Sequence, residues 1–254
     1  MNRGKAIAVV VGATGAMGTV IVRRLAREGL QVLAVARHGE ALRTLARDVP
    51  GTKACTADIG ADGAIAAIAH AVEALEGTVR LVLQGAGVAT AGGVLKAETA
   101  AVVDAVNIKV GGLMRLVRAV DTRLAAGSRI VAIGGHYGFE PTAYAAAAGV
   151  ANAALANLVR QLSWAYGPRG ITAHLVAPGP ADTERLHRVA AARGERDGID
   201  VSQVLAQMRS ESAIGAFTTP EQIAWAVATL LAPEADALAG STLFMDAGRR
   251  KGLP

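Results

Sequence analysis

Three glycines spaced three apart stand near the head of the chain, in Gly12-Ala13-Thr14-Gly15-Ala16-Met17-Gly18. A short apolar run, 6–11, leads into them, and a stretch of helical period, 17–28, leads out. Glycine lets the backbone turn tightly and lets a bulky anion approach bare amides. The first turn of a helix adds unsatisfied N–H groups and the positive end of its dipole. A diphosphate suits such a turn, so Gly12, Thr14, Gly15, Ala16, Met17 and Gly18 are candidate contacts to a dinucleotide. A plain tight turn would use the same glycines; the strand-to-helix setting favours the ligand. The next apolar run, 31–36, ends on Arg37-His38, where an acid would hold the ribose hydroxyls of NAD. A guanidinium there suits a ribose 2′-phosphate and points to NADP(H), although Arg37 would equally open a solvated helix.

These groups must be carried by regular elements, and the pattern supplies them. Apolar runs at 6–11, 31–36, 53–57, 79–84, 129–133, 171–176 and 242–245 read as strands. Between them, helical periods fall at 17–28, 40–47, 65–75, 94–106, 108–124, 144–166 and 220–231. Strand–helix alternation implies a parallel sheet with helices on both faces, and strands apolar throughout fit burial on both sides. The expectation is an α/β protein: a doubly wound parallel seven-stranded sheet in a three-layer sandwich, folded as a single domain over 1–254, with no internal repeat or linker.

Composition narrows the partners. Of the 254 residues 52% are hydrophobic but only 3% aromatic, so the core is built from Ala, Val, Leu and Ile and a disordered chain is excluded. The net charge of +5 is scattered over helix faces, and no arginine stripe with interleaved aromatics marks a nucleic-acid surface. The single cysteine, Cys55, forms no intrachain disulfide, and the apolar run behind Arg3 and Lys5 is too short for a leader; both fit a cytoplasmic protein. The alanine-rich stretch around Asn152 and Asn157 reads as a buried helix, with no membrane involved.

In combination these motifs resemble the short-chain dehydrogenase/reductase family nearly end to end. The resemblance implies a Rossmann fold and further site residues. Asp58-Ile59 matches the pair beside the adenine. Gln84-Gly85-Ala86-Gly87 is similar to the family's Asn-Asn-Ala-Gly turn, and Asn107 to the asparagine of its catalytic tetrad. Pro178-Gly179-Pro180-Ala181, with Thr183, is similar to the loop that holds the nicotinamide amide, and Phe244-Met245-Asp246-Ala247-Gly248 to the closing strand. Residues 182–216 correspond to the substrate lid; Leu186, Val189 and Met208 there suit a fairly apolar small molecule, although a solvated helical hairpin would fit the charges as well. The family also implies a homotetramer or homodimer, with the small face of 145–156 packed between copies.

The departures bear on the chemistry. The glycine spacing is that of the family's extended and atypical branches. The family's catalytic tyrosine opens a Tyr-x-x-x-Lys helix; here Tyr144 matches it, but the lysine position holds Ala148. The family's serine position holds Gly135. A phenol titrates near ~10, so without a neighbouring cation Tyr144 is a poor base but still a proton donor, and reduction survives the loss better than alcohol oxidation. His136 and Tyr137 directly follow the missing serine; His136 is a candidate acid near neutral pH, or simply a loop residue shielding the cleft. Asn107 reads as structural as readily as catalytic. Lys109, two residues on, is expected on the opposite helix face and away from the site. Three functions remain open: an NADPH-dependent reductase of a carbonyl, imine or activated alkene; a non-redox isomerase, dehydratase or cyclase on the same scaffold; and a silent nucleotide-binding member.

Overall fold

The computed structural model describes residues 5–88 and 92–252. Arg3 lies outside them. Strands β1 (Ala6–Val11), β2 (Gln31–Ala36), β3 (Thr52–Thr56), β4 (Thr78–Gln84), β5 (Leu124–Ile133), β6 (Thr172–Pro178) and β7 (Thr242–Met245) form one sheet, ordered β3-β2-β1-β4-β5-β6-β7. Every pairing is parallel. The order reverses between β1 and β4, and the crevice outside the strand ends at that reversal is where such sheets bind ligands.

Helices α1 (Ala16–Arg27), α2 (Gly39–Asp48), α3 (Gly63–Glu73), α4 (Thr99–Val106), α5 (Gly112–Val120), α6 (Ala146–Tyr166) and α9 (Pro220–Thr229) cover the sheet. Between α6 and α9 the pair α7 (Glu184–Asp197) and α8 (Val201–Ser210) forms a hairpin. On one face Ile68, Leu113, Leu116, Leu155 and Val159 pack on Val9, Val82 and Ile130; on the other Ile21, Leu25, Ile223 and Val227 pack on Val10, Leu83 and Val131. Alternate strand residues thus feed opposite layers, as the pleat requires. The hairpin has its own small core of Leu186, Ala190, Val204 and Met208. Among the described residues no helix is long and apolar enough to cross a membrane.

The structure departs from the expected boundaries at several places: the strand expected over 129–133, for one, starts at Leu124. The helix expected over 94–106 starts at Thr99, because Glu98 is extended (ψ 131°) and caps it. The helix expected over 108–124 is interrupted: Asn107–Gly111 forms a wide π turn, and Asp121–Arg123 ends it in a 3₁₀ turn. The helix expected from Tyr144 starts at Ala146, which leaves Tyr144 on the loop before it.

Candidate functional site

The nucleotide end of the crevice is built from close backbone contacts. Gly12 has φ +79°, and a Cβ there would sit 2.7 Å from the Gly85 carbonyl carbon. A Cβ on Gly18 would lie 2.1 Å from Gly12 O, so α1 can pack this closely on the loop only with glycine. Gly15 caps α1 without any side-chain hydrogen bond, and no acid stands in the first turn. Thr14 is half-buried and Gly15 and Ala16 are exposed; the Gly15 amide donates to Gly12 O at 3.1 Å, and the first-turn amides of α1 beyond it have no partner within the helix. These bare donors, with the dipole behind them, fit a diphosphate. Arg37 and His38 are exposed at the end of β2. Arg43 of α2 reaches back to the same mouth: its guanidinium comes within 3.3 Å of where a Cβ on Gly39 would stand. Sequence reasoning counts Arg43 among the scattered arginines, a few of which could serve an anionic cofactor, without assigning it beside Arg37.

Beyond β3, Asp58 is exposed and its Oδ1 accepts from Gly60 N at 3.0 Å, while Ile59 is buried. Asn107 faces this loop: its Nδ2 donates to Gly60 O at 2.9 Å. Arg115 braces the same loop, donating to Asp62 at 2.6 Å and to Ile59 O at 3.1 Å. Asn107 therefore braces the loop after β3 and is not among the residues that line the cavity described next. Gly85, Ala86 and Gly87 follow β4, where the buried Gln84 donates to Ile108 O at 2.6 Å and accepts from Ala86 N at 3.2 Å. Gln84 also fills the space beside Gly112, where a Cβ would come 2.3 Å from its Nε2.

At the ends of β5 and β6 lies a cavity of about 270 Å³. Its lining includes Gly135 and Ala148, which the resemblance matched to the family's serine and lysine positions. Tyr144, Tyr137 and His136 line one side; Met17, Gly85 and Gly87 connect it to the nucleotide end; Pro178, Gly179, Ala181 and Thr183 form the far wall. Leu186, Val189 and Met208 of the α7–α8 hairpin close over it. A larger groove of about 860 Å³ beside β7, lined by Phe139, Trp164 and Phe244, shares none of these groups.

Tyr144 is 52% exposed, and its hydroxyl lies 3.1 Å from that of Tyr137, with the two rings edge to face. Burial, and then the bond to Tyr144, push the Tyr137 phenol well up, so it stays protonated. His136 is 5% exposed and donates a ring N–H to the Pro178 carbonyl. Burial, with Arg249 next, lowers its pKa to about 4. The expectation of an acid near neutral pH is thereby corrected: the imidazole is neutral there and walls the cavity. A second correction concerns Lys109. It does lie on the face opposite Asn107, but that face looks into the cavity, and Asn107 turns away. The lysine is 6% exposed, with Nζ donating to Ile133 O at 2.7 Å. Asn152 also escaped the sequence reading, although its position four residues after Ala148 puts it on the same helix face. A Cβ on Gly135 would come 2.9 Å from its Nδ2, so its carboxamide takes the room a serine would need.

Away from the crevice His174 is also buried, donating from Nδ1 to Leu238 O (3.1 Å) and accepting at Nε2 from the Thr172 hydroxyl (2.7 Å). Burial, with Arg129 next, lowers its pKa to about 4. Both imidazoles titrate near 6.5 when unfolded, so between pH 6.5 and about 4 the unfolded chain binds more protons. Stability should be full above pH 6.5 and fall toward pH 4, by about 2 kcal/mol per imidazole at pH 5. Urea denaturation at pH 7 and pH 5 measures this; an unchanged midpoint would show that these rings are not held neutral.

The chain matches a family profile described as enoyl-(acyl carrier protein) reductase over residues 12–250. It is 32% identical to the short-chain reductase NovJ of Streptomyces niveus, over 96% of this chain and 94% of that one. It is 27% identical to a putative ketoacyl reductase of Streptomyces coelicolor, over 95% and 96% of the two chains. Among solved structures it resembles a variant of the actinorhodin polyketide ketoreductase with NADPH: TM-score 0.87, 25% identity, 96% of this chain and 97% of that one.

Proposed function

Because the chain belongs to the short-chain dehydrogenase/reductase family, we propose that it is an NADPH-dependent reductase of a C=O, C=N or activated C=C bond, with Tyr144 as proton donor. The observation that carries this reading is the open first turn of α1, whose unclaimed amides end at the cavity that holds the Tyr144–Tyr137 pair. The glycine contacts leave room for a diphosphate, and Arg37 with Arg43 suits a ribose 2′-phosphate. When bound, the nicotinamide supplies a hydride. The loop of Pro178, Gly179, Ala181 and Thr183 orients it, and Asn107 keeps the adenine side in shape through Gly60. Tyr144 gives its proton to the substrate heteroatom, and its half-exposed hydroxyl recovers one from solvent or from Tyr137. Segment 182–216 acts as the lid, and Leu186, Val189 and Met208, which line the cavity from it, favour a fairly apolar small molecule. The named reductases among the relatives support the same direction. Gly135 and Ala148 favour a second reading, a silent member that binds the nucleotide without turnover.

Fluorescence titration with NADPH, followed by its consumption with ketones, enones and cyclic imines, separates the two. Tight binding with turnover supports the reductase, binding alone the silent member, and no binding overturns both. Arg37→Glu should weaken NADPH by about 10- to 100-fold and leave NADH nearly unchanged, since a charge-assisted phosphate contact is worth about 1.5–3 kcal/mol. Equal loss for both nucleotides would remove Arg37 from the 2′-phosphate site.

A further inference from the structure

A buried lysine and a buried carboxamide share the cavity that lacks the family's own lysine and serine. Lys109 and Asn152 are each 6% exposed. Among the described residues Lys109 Nζ has one hydrogen-bond partner, Ile133 O, for three N–H bonds. Asn152 Oδ1 is buried with none. No carboxylate is among the described residues that line this cavity, whereas Arg185 adds a second cation. A buried ammonium with no counter-ion is costly to fold unless an anionic oxygen completes its shell. The wide turn at Asn107–Gly111 makes this possible: it begins with Asn107 on the adenine loop and carries Lys109 to the end of β5, with Gln84 pinning Ile108 between them.

We propose that Lys109 forms an oxyanion subsite at the end of β5, a cation relocated from α6 to the π turn, and that Asn152 orients the bound oxygen beside it. This assignment rests on the reductase reading for its chemistry. As hydride reaches the carbon of a carbonyl, its π pair moves onto oxygen. The Lys109 ammonium faces that charge and keeps its proton, and Tyr144 supplies the proton that completes the alcohol. The ligand class is a small molecule whose oxygen is anionic or becomes so, on an otherwise apolar body that meets Val88, Leu186 and Met208. Burial, then the Arg185 charge, lower the Lys109 pKa to about 8, so it is charged at neutral pH.

The test uses 4-nitrophenol, whose phenolate is yellow while the phenol is colourless, with the whole protein. The wild type should bind it as the phenolate and lower its apparent pKa. Lys109→Met should abolish the shift while NADPH affinity stays within about threefold, and Lys109→Arg should restore it. In turnover, Lys109→Met should lower kcat about 100-fold, as loss of an oxyanion donor does. Wild-type kcat should fall above about pH 8, and Lys109→Arg should move that fall to higher pH. A shift equal in wild type and Lys109→Met overturns the subsite even where ketones are reduced. A Lys109-dependent shift without reduction of any carbonyl upholds the subsite and overturns the reductase reading.

Discussion

Gly18→Ala should weaken NADPH binding by about 100-fold or more, close to 3 kcal/mol, and lower the melting temperature as well. The added methyl would sit 2.1 Å from Gly12 O, which has no flexible side chain to move aside. Either α1 slides outward or the Gly12 turn opens, and both spoil the alignment of amides on which an anion depends. Gly15→Ala provides the contrast. Its Cβ would meet Gly12 O at 3.4 Å, an ordinary contact, and its φ of −74° suits alanine. The fold should therefore survive with a nearly unchanged melting temperature, while the methyl intrudes where the diphosphate approaches and affinity still drops. Titration and thermal melts of the two variants give this pattern directly. Normal NADPH affinity in Gly18→Ala would mean that the loop is not the nucleotide site.

The second large effect concerns stability and lies away from the crevice. Arg129→Met should cost about 3–5 kcal/mol, which for a chain of this size lowers the melting temperature by roughly 10 °C. Arg129 is 1% exposed inside β5. It donates to Leu230 O at 2.7 Å, Thr172 Oγ1 at 2.9 Å, Ala232 O at 3.0 Å and the Asp236 carboxylate at 2.5 Å. It thus ties the C-terminal end of α9 and the following 3₁₀ turn to the sheet. Methionine fills the stem's volume but strands the Leu230 and Ala232 carbonyls, the costly kind of loss, while the Thr172 hydroxyl keeps its bond to His174. The neighbouring His174 should then titrate higher, because the guanidinium contributes to holding its pKa down. Calorimetry measures the first effect and the His174 ring signals in NMR the second; a variant as stable as wild type would show that the network contributes nothing.

The sequence alone determined the layered α/β frame and the nucleotide end, for a local reason. Apolar runs and helical periods are properties of neighbouring residues, and so is a glycine turn between a strand and a helix. Gly15 and Gly18 could be read because each answers to Gly12 a few residues away, whereas Gly12 itself meets Gly85 on the neighbouring strand's turn, and the strand order came only with the folded sheet. The reaction end was decided by tertiary structure, because it is assembled from residues far apart in the chain. Asn107 and Lys109 on opposite faces were legible; which face looks into the cavity was set by Gln84 on Ile108 and Asn107 on Gly60, contacts spanning 24 and 47 positions. His136 read as an acid because residue type carries no information on burial; the enclosing walls and the Arg249 charge keep it neutral, against the pull of the Pro178 carbonyl. Asn152 took on meaning only once its amide was found in the space above Gly135. Composition and spacing establish which groups a chain owns, but a pKa or an oxyanion contact depends on what surrounds the group in space, and only the folded packing supplies that.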